Sequence, residues 1–181
     1  MRRALSDSDG SMLFAMQVST MLFVALAMSM AVAHALELPG KLRLRMEAYL
    51  AVQTIYDPGF TVGGIIEPLS GVATLALFFL SRSTDTDSWL LLVAFAALLV
   101  MHLVFWFVTR PVNKFWLKTF QAYQLGERFF DGGQAAGPVP RGGLDAREWK
   151  SMRDRWEASH LVRAMLSLIA FLALSVAVVR G

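Results

Sequence analysis

Four apolar segments of this chain are each long enough to cross a lipid bilayer, which takes about 20 helical residues. They cover about 12–36, 60–80, 89–108 and 158–179. Hydrocarbon offers the backbone no hydrogen-bond partners, so segments of this kind form helices. The sequence therefore predicts an all-α fold, in which residues 1–181 form a single four-helix bundle integral to the membrane.

Composition agrees with a membrane protein and excludes several classes of function. Hydrophobic residues make up 56% of the chain and charged residues only 17%. Cysteine is absent, which excludes a disulfide framework, a thiolate metal site and a cysteine nucleophile. The net charge of +3 comes from basic residues beside the apolar segments. We interpret them as topology signals and headgroup contacts, so the lipid bilayer is the expected partner and nucleic acid is not.

The distribution of basic residues predicts the orientation of the spans. The loops after the first and third spans are loop one (37–59) and loop three (110–157), and together they carry twelve lysines and arginines. The N-terminal tail, loop two (81–88) and the C-terminus together carry four. Loops rich in lysine and arginine stay in the cytoplasm. We therefore predict an inner-membrane protein with loops one and three in the cytoplasm and both termini on the other side.

The first span also has features of a signal peptide, because Arg2 and Arg3 precede it and Ala33-His34-Ala35 fits a cleavage pattern. Its length and the two aspartates at positions 7 and 9 favour a retained helix.

Proline and glycine divide the loops into short elements. Pro39-Gly40 is expected to end the first helix, and 45–56 then forms a short helix. In loop three, 111–125 is predicted to be an interfacial helix because its aromatic residues alternate with lysines. A flexible Gly/Pro linker follows over 131–143.

Six ionisable side chains fall inside or at the ends of the apolar segments, all in the half of the membrane next to loops one and three. An ionisable group at such a depth is costly and marks a functional site by default. A buried arginine also requires a carboxylate partner, so Arg163 is predicted to pair with Glu67 or Glu37. The candidate catalytic residues are His34, Glu37, Glu67, His102, His160 and Arg163.

Aromatic residues accompany these groups at helical spacing. His102 and Trp106 share one helix face, and a stripe on the last helix continues outward from Arg163. Trp106, Trp156 and Tyr56 are the candidate contacts for a bound cofactor. Taken singly, each tryptophan also fits an interface belt, and Arg163 fits a snorkelling side chain. The stripe comprises Trp149, Arg153, Trp156, His160 and Arg163.

These residues support more than one chemistry. His34, His102 and His160 with a carboxylate are a donor set for iron, copper or zinc, and two facing histidines can ligate haem. The other reading has no cofactor: histidine and glutamate move protons on a lipophilic planar substrate, and Arg163 stabilises a phenolate or enolate. Phosphate-binding loops, nucleophile elbows and dinucleotide fingerprints are absent from the sequence.

Several sequence stretches together resemble the bacterial branch of the anthrone-oxygenase-like family of small four-span membrane proteins. The resemblance covers nearly the whole chain and implies a four-span fold. Fungal members are implicated in oxidising anthrones to anthraquinones with molecular oxygen, which implies an anthrone- or quinone-like substrate. The stretches are His34-Ala-Leu-Glu-Leu-Pro-Gly-Lys41, Val52-Gln53-x-x-Tyr56, Glu67-Pro68, Arg110-Pro-Val-Asn113 and Trp156-Glu157-x-x-His160-x-x-Arg163.

Two further classes of function remain open at this stage. The chain can be a non-catalytic accessory subunit of a larger membrane complex or a homo-oligomer, with its polar groups paired internally. It can also be a transporter of small molecules, although no inverted repeat is visible in the sequence.

Overall fold

The computed structural model of the chain describes residues 2–56, 59, 63–81, 88–115 and 146–180, with the backbone alone at 2–9 and 54. The described part is helical and contains no strand, which confirms the predicted all-α class. Its elements are α1 (Arg2–Lys41), α2 (Met46–Gln53), a 3₁₀ turn (Thr54–Tyr56), α3 (Ile66–Ser81), α4 (Ser88–Phe115) and α5 (Ala146–Arg180).

The described helices form a multi-pass membrane bundle. Three of them, Gly10–Lys41, Ser88–Phe115 and Ala146–Arg180, are long and apolar enough to cross a bilayer. Helix α3 is apolar but has 16 residues, so it measures about 24 Å against a hydrocarbon thickness of about 30 Å. The count of four spans therefore stays a prediction.

Each of the four long helices packs against two others. Helices α1 and α4 both contact α3 and α5. Small side chains fill the centre, and alanine lets helix backbones approach closely where lipid supplies no hydrophobic drive. At Gly63, a Cβ would lie 2.2 Å from the Met30 methyl group on α1. The buried alanines of α5 are Ala164, Ala170, Ala173 and Ala177.

Two prolines place helix boundaries differently from the sequence prediction. The second span was expected from about residue 60, but α3 begins at Ile66. Pro68 therefore lies in its first turn, the part of a helix where a missing N–H is tolerated. At the end of α1, Pro39 lies inside the helix, which continues to Lys41. A short turn follows, in which Leu44 N–H donates to the Lys41 carbonyl.

Helix α4 is longer than the third predicted span and continues through Pro111. A π-helical segment, Phe105–Thr109, precedes this proline, and Arg110 N–H donates to the Phe105 carbonyl. Such a bulge is a common way to accommodate an irregularity in a helix. The separate interfacial helix predicted at 111–125 is therefore, up to Phe115, the end of α4. Its remainder and the linker at 131–143 lie outside the described residues.

Loop one folds back over one end of the bundle. The predicted helix at 45–56 is confirmed as α2 with its 3₁₀ turn. Its aromatic side chains pack against the ends of α4 and α5 in a hydrophobic cluster separate from the bundle core. This end cap, made of Tyr49, Leu50, Tyr56, Val112 and Trp156, covers the ends of the helices that carry the ionisable residues.

Candidate functional site

Glu67, in the first turn of α3, joins two other helices. Its carboxylate pairs with the Arg163 guanidinium on α5, which confirms one of the two predicted pairings. Its other oxygen lies 3.2 Å from His102 Nδ1 on α4. Glu67 and Arg163 are both almost fully enclosed. Removing either partner of a buried ion pair leaves the other charge without compensation, so both residues are needed for the pair to be stable.

His102 is held by hydrogen bonds on both ring nitrogens. The Trp106 indole N–H donates to His102 Nε2 over 2.8 Å. An indole nitrogen can only donate, so Nε2 accepts and the proton is assigned to Nδ1, which donates to Glu67. The result is a neutral imidazole oriented by a carboxylate, with its basic lone pair on Nε2. The His102 side chain is 33% exposed, so it lies at the edge of the bundle.

On α5, Arg163 connects this group to the other two histidines, His160 and His34. Arg163 Nη1 lies 3.4 Å from His160 Nδ1. Since a guanidinium only donates, Nδ1 accepts and the His160 proton is assigned to Nε2. That Nε2 atom is buried and has no hydrogen-bond partner among the described residues. The ring of His34 on α1 packs against His160 with a centroid separation of 4.2 Å.

Glu37 and Lys41 complete the site next to the end cap. Lys41 Nζ lies 2.8 Å from the Glu37 carboxylate, which also accepts a hydrogen bond from the Tyr56 hydroxyl. The Lys41 ammonium lies 4.8 Å from the centre of the Tyr56 ring and 5.0 Å from that of Trp156. Such cation–π contacts and the ion pair allow this lysine to be buried.

Trp156 links the end cap to the histidines. Its ring lies 4.1 Å from the His160 centroid and 5.4 Å from that of His34. Its indole N–H donates to Asn113 Oδ1 on α4 over 2.8 Å. Trp156, His160 and Arg163 of the predicted stripe thus lie together along one side of the site.

All six predicted residues therefore belong to one contiguous group. From the edge of the bundle it runs through His102, Glu67, Arg163, His160 and His34 to Glu37, whose carboxylate lies 3.9 Å from His34 Nδ1. Within this group the histidines have different neighbours: His102 contacts Glu67, whereas His160 contacts Arg163 and packs against His34. Among the described residues, no group of three or more His, Asp or Glu side chains is placed to hold a metal ion. Iron, copper and haem stay predictions from the sequence.

Sequence reasoning missed four residues of the site: Lys41, Asn113, and the hydrogen-bonded pair of Tyr49 and Glu157. Lys41 follows Glu37 by four residues, a spacing that brings helix side chains together. Asn113 has no comparable local signal. The Tyr49 hydroxyl donates to Glu157 Oε1 over 2.8 Å across 108 residues of sequence, a distance that no local pattern reveals.

Both tyrosines of the end cap are held in the neutral form. Burial raises the pKa of Tyr49 far above its usual value, and the neighbouring Glu157 carboxylate raises it further. Burial likewise raises the pKa of Tyr56, and its hydrogen bond to Glu37 adds to the effect. Each phenol therefore remains a hydrogen-bond donor to a carboxylate throughout the physiological pH range.

These raised pKa values predict a loss of stability in alkali. Above pH ~10 the unfolded chain releases the phenolic protons that the folded chain retains, so the free energy of unfolding falls as pH rises. Each such tyrosine contributes a slope of about 1.4 kcal/mol per pH unit. Tyr49→Phe should remove one of these contributions, which denaturant titrations of both proteins at pH 9 and pH 11 would measure. Equal slopes for the two proteins would contradict the assignment.

Comparison with known proteins gives one match. The family model described as Anthrone oxygenase matches residues 53–173, two thirds of the chain. The matched range includes Tyr56, Glu67, His102, His160 and Arg163, whereas His34, Glu37 and Lys41 precede it. No curated protein and no solved structure matches the chain. The match is to the family as a whole, so the bacterial branch stays a prediction.

Proposed function

Because the chain belongs to the anthrone oxygenase family, we propose that it oxidises a lipophilic, anthrone- or quinone-like small molecule with molecular oxygen inside the membrane. One observation carries this proposal: a carboxylate-oriented histidine, His102, lies at the edge of the bundle with its basic nitrogen directed toward an aromatic side chain. The name of the family alone would not identify a site, whereas this arrangement supplies a general base.

The first step is removal of a proton from the carbon opposite the substrate carbonyl. His102 Nε2 would accept this proton, and Glu67 would stabilise the imidazolium through Nδ1–H, as carboxylates do in catalytic triads. Arg163 holds the Glu67 carboxylate in position. The resulting carbanion is delocalised onto the carbonyl oxygen as a phenolate. Positioned general bases contribute about 10²- to 10⁴-fold to such proton transfers.

Molecular oxygen would then react with the deprotonated carbon. The carbanion passes its electrons to O₂, the C–O bond forms, and the imidazolium returns its proton to give a hydroperoxide. Removal of the second proton from the same carbon then expels hydroxide: the C–H and O–O bonds break, a second carbonyl forms, and the proton and the hydroxide leave as water. One anthrone and one O₂ thus give one anthraquinone and one water, and the base is regenerated.

The position of the site fits a substrate that dissolves in lipid. His102 is partly exposed on a helix that is long and apolar enough to span the membrane, and large apolar side chains are exposed beside it at Leu103 and Phe107. We propose that the substrate reaches His102 laterally from the bilayer. Because loops one and three carry most of the lysines and arginines, we place the site in the cytoplasmic half of the inner membrane, with both termini on the opposite side.

The internal pairing of the carboxylates favours a second candidate, a non-catalytic accessory subunit of a larger complex. Glu67 is paired with Arg163, Glu37 with Lys41, and Glu157 accepts from Tyr49. Pairs of this kind can hold helices in register without taking part in any reaction. An accessory subunit would bind partner chains and would have no activity of its own.

A turnover assay separates the two candidates. Purified protein in lipid nanodiscs would receive anthrone in aerated buffer, while anthraquinone absorbance and oxygen uptake are recorded against empty nanodiscs. The proposed enzyme gives both at a ratio of one to one and at a rate at least tenfold above the uncatalysed reaction. A rate equal to that of empty nanodiscs, with a stoichiometric partner chain retained during purification, would favour the accessory subunit.

A further inference from the structure

Trp106 lies at the ring nitrogen of His102 that the Glu67 carboxylate does not contact. Its indole N–H donates to His102 Nε2, the nitrogen that the proposed reaction uses as base. The tryptophan is 43% exposed, far more than an aromatic side chain held in a core. The basic lone pair is thus covered by a side chain of the same protein that itself lies at the surface.

The surroundings of the indole are those that a flat aromatic ligand would need. The Arg110 guanidinium lies 4.3 Å from the ring centroid. The Phe105 ring meets the indole edge-on at 6.0 Å and also stacks on His102 at 6.3 Å. The Trp106 ring lies beneath a guanidinium and directs its N–H at an imidazole nitrogen. A bound anthrone or polycyclic phenol could make the same two contacts with its ring and its acidic hydrogen.

The helix backbone around Trp106 is also irregular. Trp106 lies within the π-helical segment Phe105–Thr109, and Pro111 follows it. Short π segments occur often at functional sites, and a return to α geometry shifts the residues within them around the helix axis. The segment therefore gives Trp106 a local route to move without unfolding α4.

We propose that Trp106 is a gate, a side chain that occupies the place of the substrate and is displaced by a planar aromatic molecule entering from the bilayer. This inference rests on the proposed function, since it takes His102 Nε2 as the reacting base. The site that Trp106 vacates selects fused aromatic rings that carry an acidic C–H or O–H group. The acidic hydrogen replaces the indole N–H at His102, and the ring replaces the indole beneath Arg110. Trp106 itself is a positioning residue, because it acts by covering and uncovering the base.

Binding of an unreactive product analogue tests the gate without requiring turnover. 2-Hydroxyanthraquinone has the flat fused rings and an acidic hydroxyl group that no carbonyl of its own can accept from, and it is already oxidised. Its Kd would be measured by partition between protein-bearing and empty nanodiscs. Trp106→Leu and Trp106→Phe both remove the competing N–H donor, so we expect the Kd to fall about five- to tenfold. Arg110→Leu should raise it about fivefold, through the lost cation–π contact.

The matched control is Trp89→Phe, on the same helix and 56% exposed but far from His102 in sequence. Its Kd should equal that of the unaltered protein. An unchanged or increased Kd in Trp106→Phe, the variant that keeps an aromatic ring, would overturn the gate. Where turnover is measurable, removing the gate in the Trp106 variants should lower KM, whereas loss of a merely structural tryptophan would lower kcat or the yield of folded protein.

Failure of the gate and failure of the proposed reaction have different signatures. Tighter binding in the Trp106 variants without oxygen uptake by any of them supports the gate as a binding device and refutes the oxidation. Oxygen uptake with an unchanged Kd and KM in both Trp106 variants supports the oxidation and refutes the gate.

Discussion

Replacing Arg163 with leucine is expected to destabilise the bundle by about 3–5 kcal/mol. The variant leaves the Glu67 carboxylate buried between α3, α4 and α5, with His102 as its remaining side-chain partner among the described residues. A carboxylate without a cation in such surroundings must either remain charged at high cost or take up a proton. Thermal unfolding in detergent, followed by circular dichroism, would measure the loss.

Two control variants show whether the charge causes this effect. The double variant Glu67→Leu with Arg163→Leu removes both partners, and replacing a whole buried pair by apolar residues is often neutral or stabilising. It should therefore recover most of the lost stability. Arg43→Leu removes an exposed arginine from loop one and should change the free energy of unfolding by at most about 0.5 kcal/mol. Equal losses in the single and double variants would show that Arg163 acts by packing alone.

His102→Gln should reduce the rate of anthraquinone formation by about 10²- to 10⁴-fold. Glutamine can still donate a hydrogen bond to Glu67, so the ion pair and the fold are retained, but an amide cannot accept the substrate proton. The reduction should appear in kcat more than in KM, because Arg110 and Phe105 still contact the ring. The rates would be measured in nanodiscs by absorbance.

Glu47→Gln is the matched control for this loss, since it exchanges an exposed loop-one side chain for an amide. Its rate should equal that of the unaltered protein. A His102→Gln protein that retains half or more of the activity while remaining folded would exclude His102 as the base.

The sequence was sufficient for the helices and insufficient for their ends. Long apolar runs must be helical in lipid, so the fold class followed directly from them. The boundaries depended on how two prolines were accommodated. Pro68 was expected inside a span and lies in the first turn of α3, while Pro111 was expected to begin a helix and lies within α4 behind a π segment. Both outcomes depend on neighbouring helices and on backbone adjustments that a single sequence does not encode locally.

For the site, charge was more informative than residue type. The pair of Arg163 with Glu67 was predictable because a buried guanidinium has few carboxylates to choose from. The expectation of three histidines around one metal came from counting ligands and stays a prediction. Counting could not reveal that His102 contacts Glu67 whereas His160 contacts Arg163. Contacts such as Tyr49 with Glu157 depend on how loop one folds over the bundle, which becomes visible only in three dimensions.

Deuterium exchange into anthrone under nitrogen tests the central claim most directly, because it reports proton removal without any step involving oxygen. The protein in nanodiscs would be incubated with anthrone in D₂O, and deuterium at the carbon opposite the carbonyl would be followed by mass spectrometry. We predict exchange at least tenfold faster than with empty nanodiscs, and no acceleration by His102→Gln. Exchange no faster than with empty nanodiscs, or equal acceleration by both proteins, would contradict the assignment of His102 as the catalytic base.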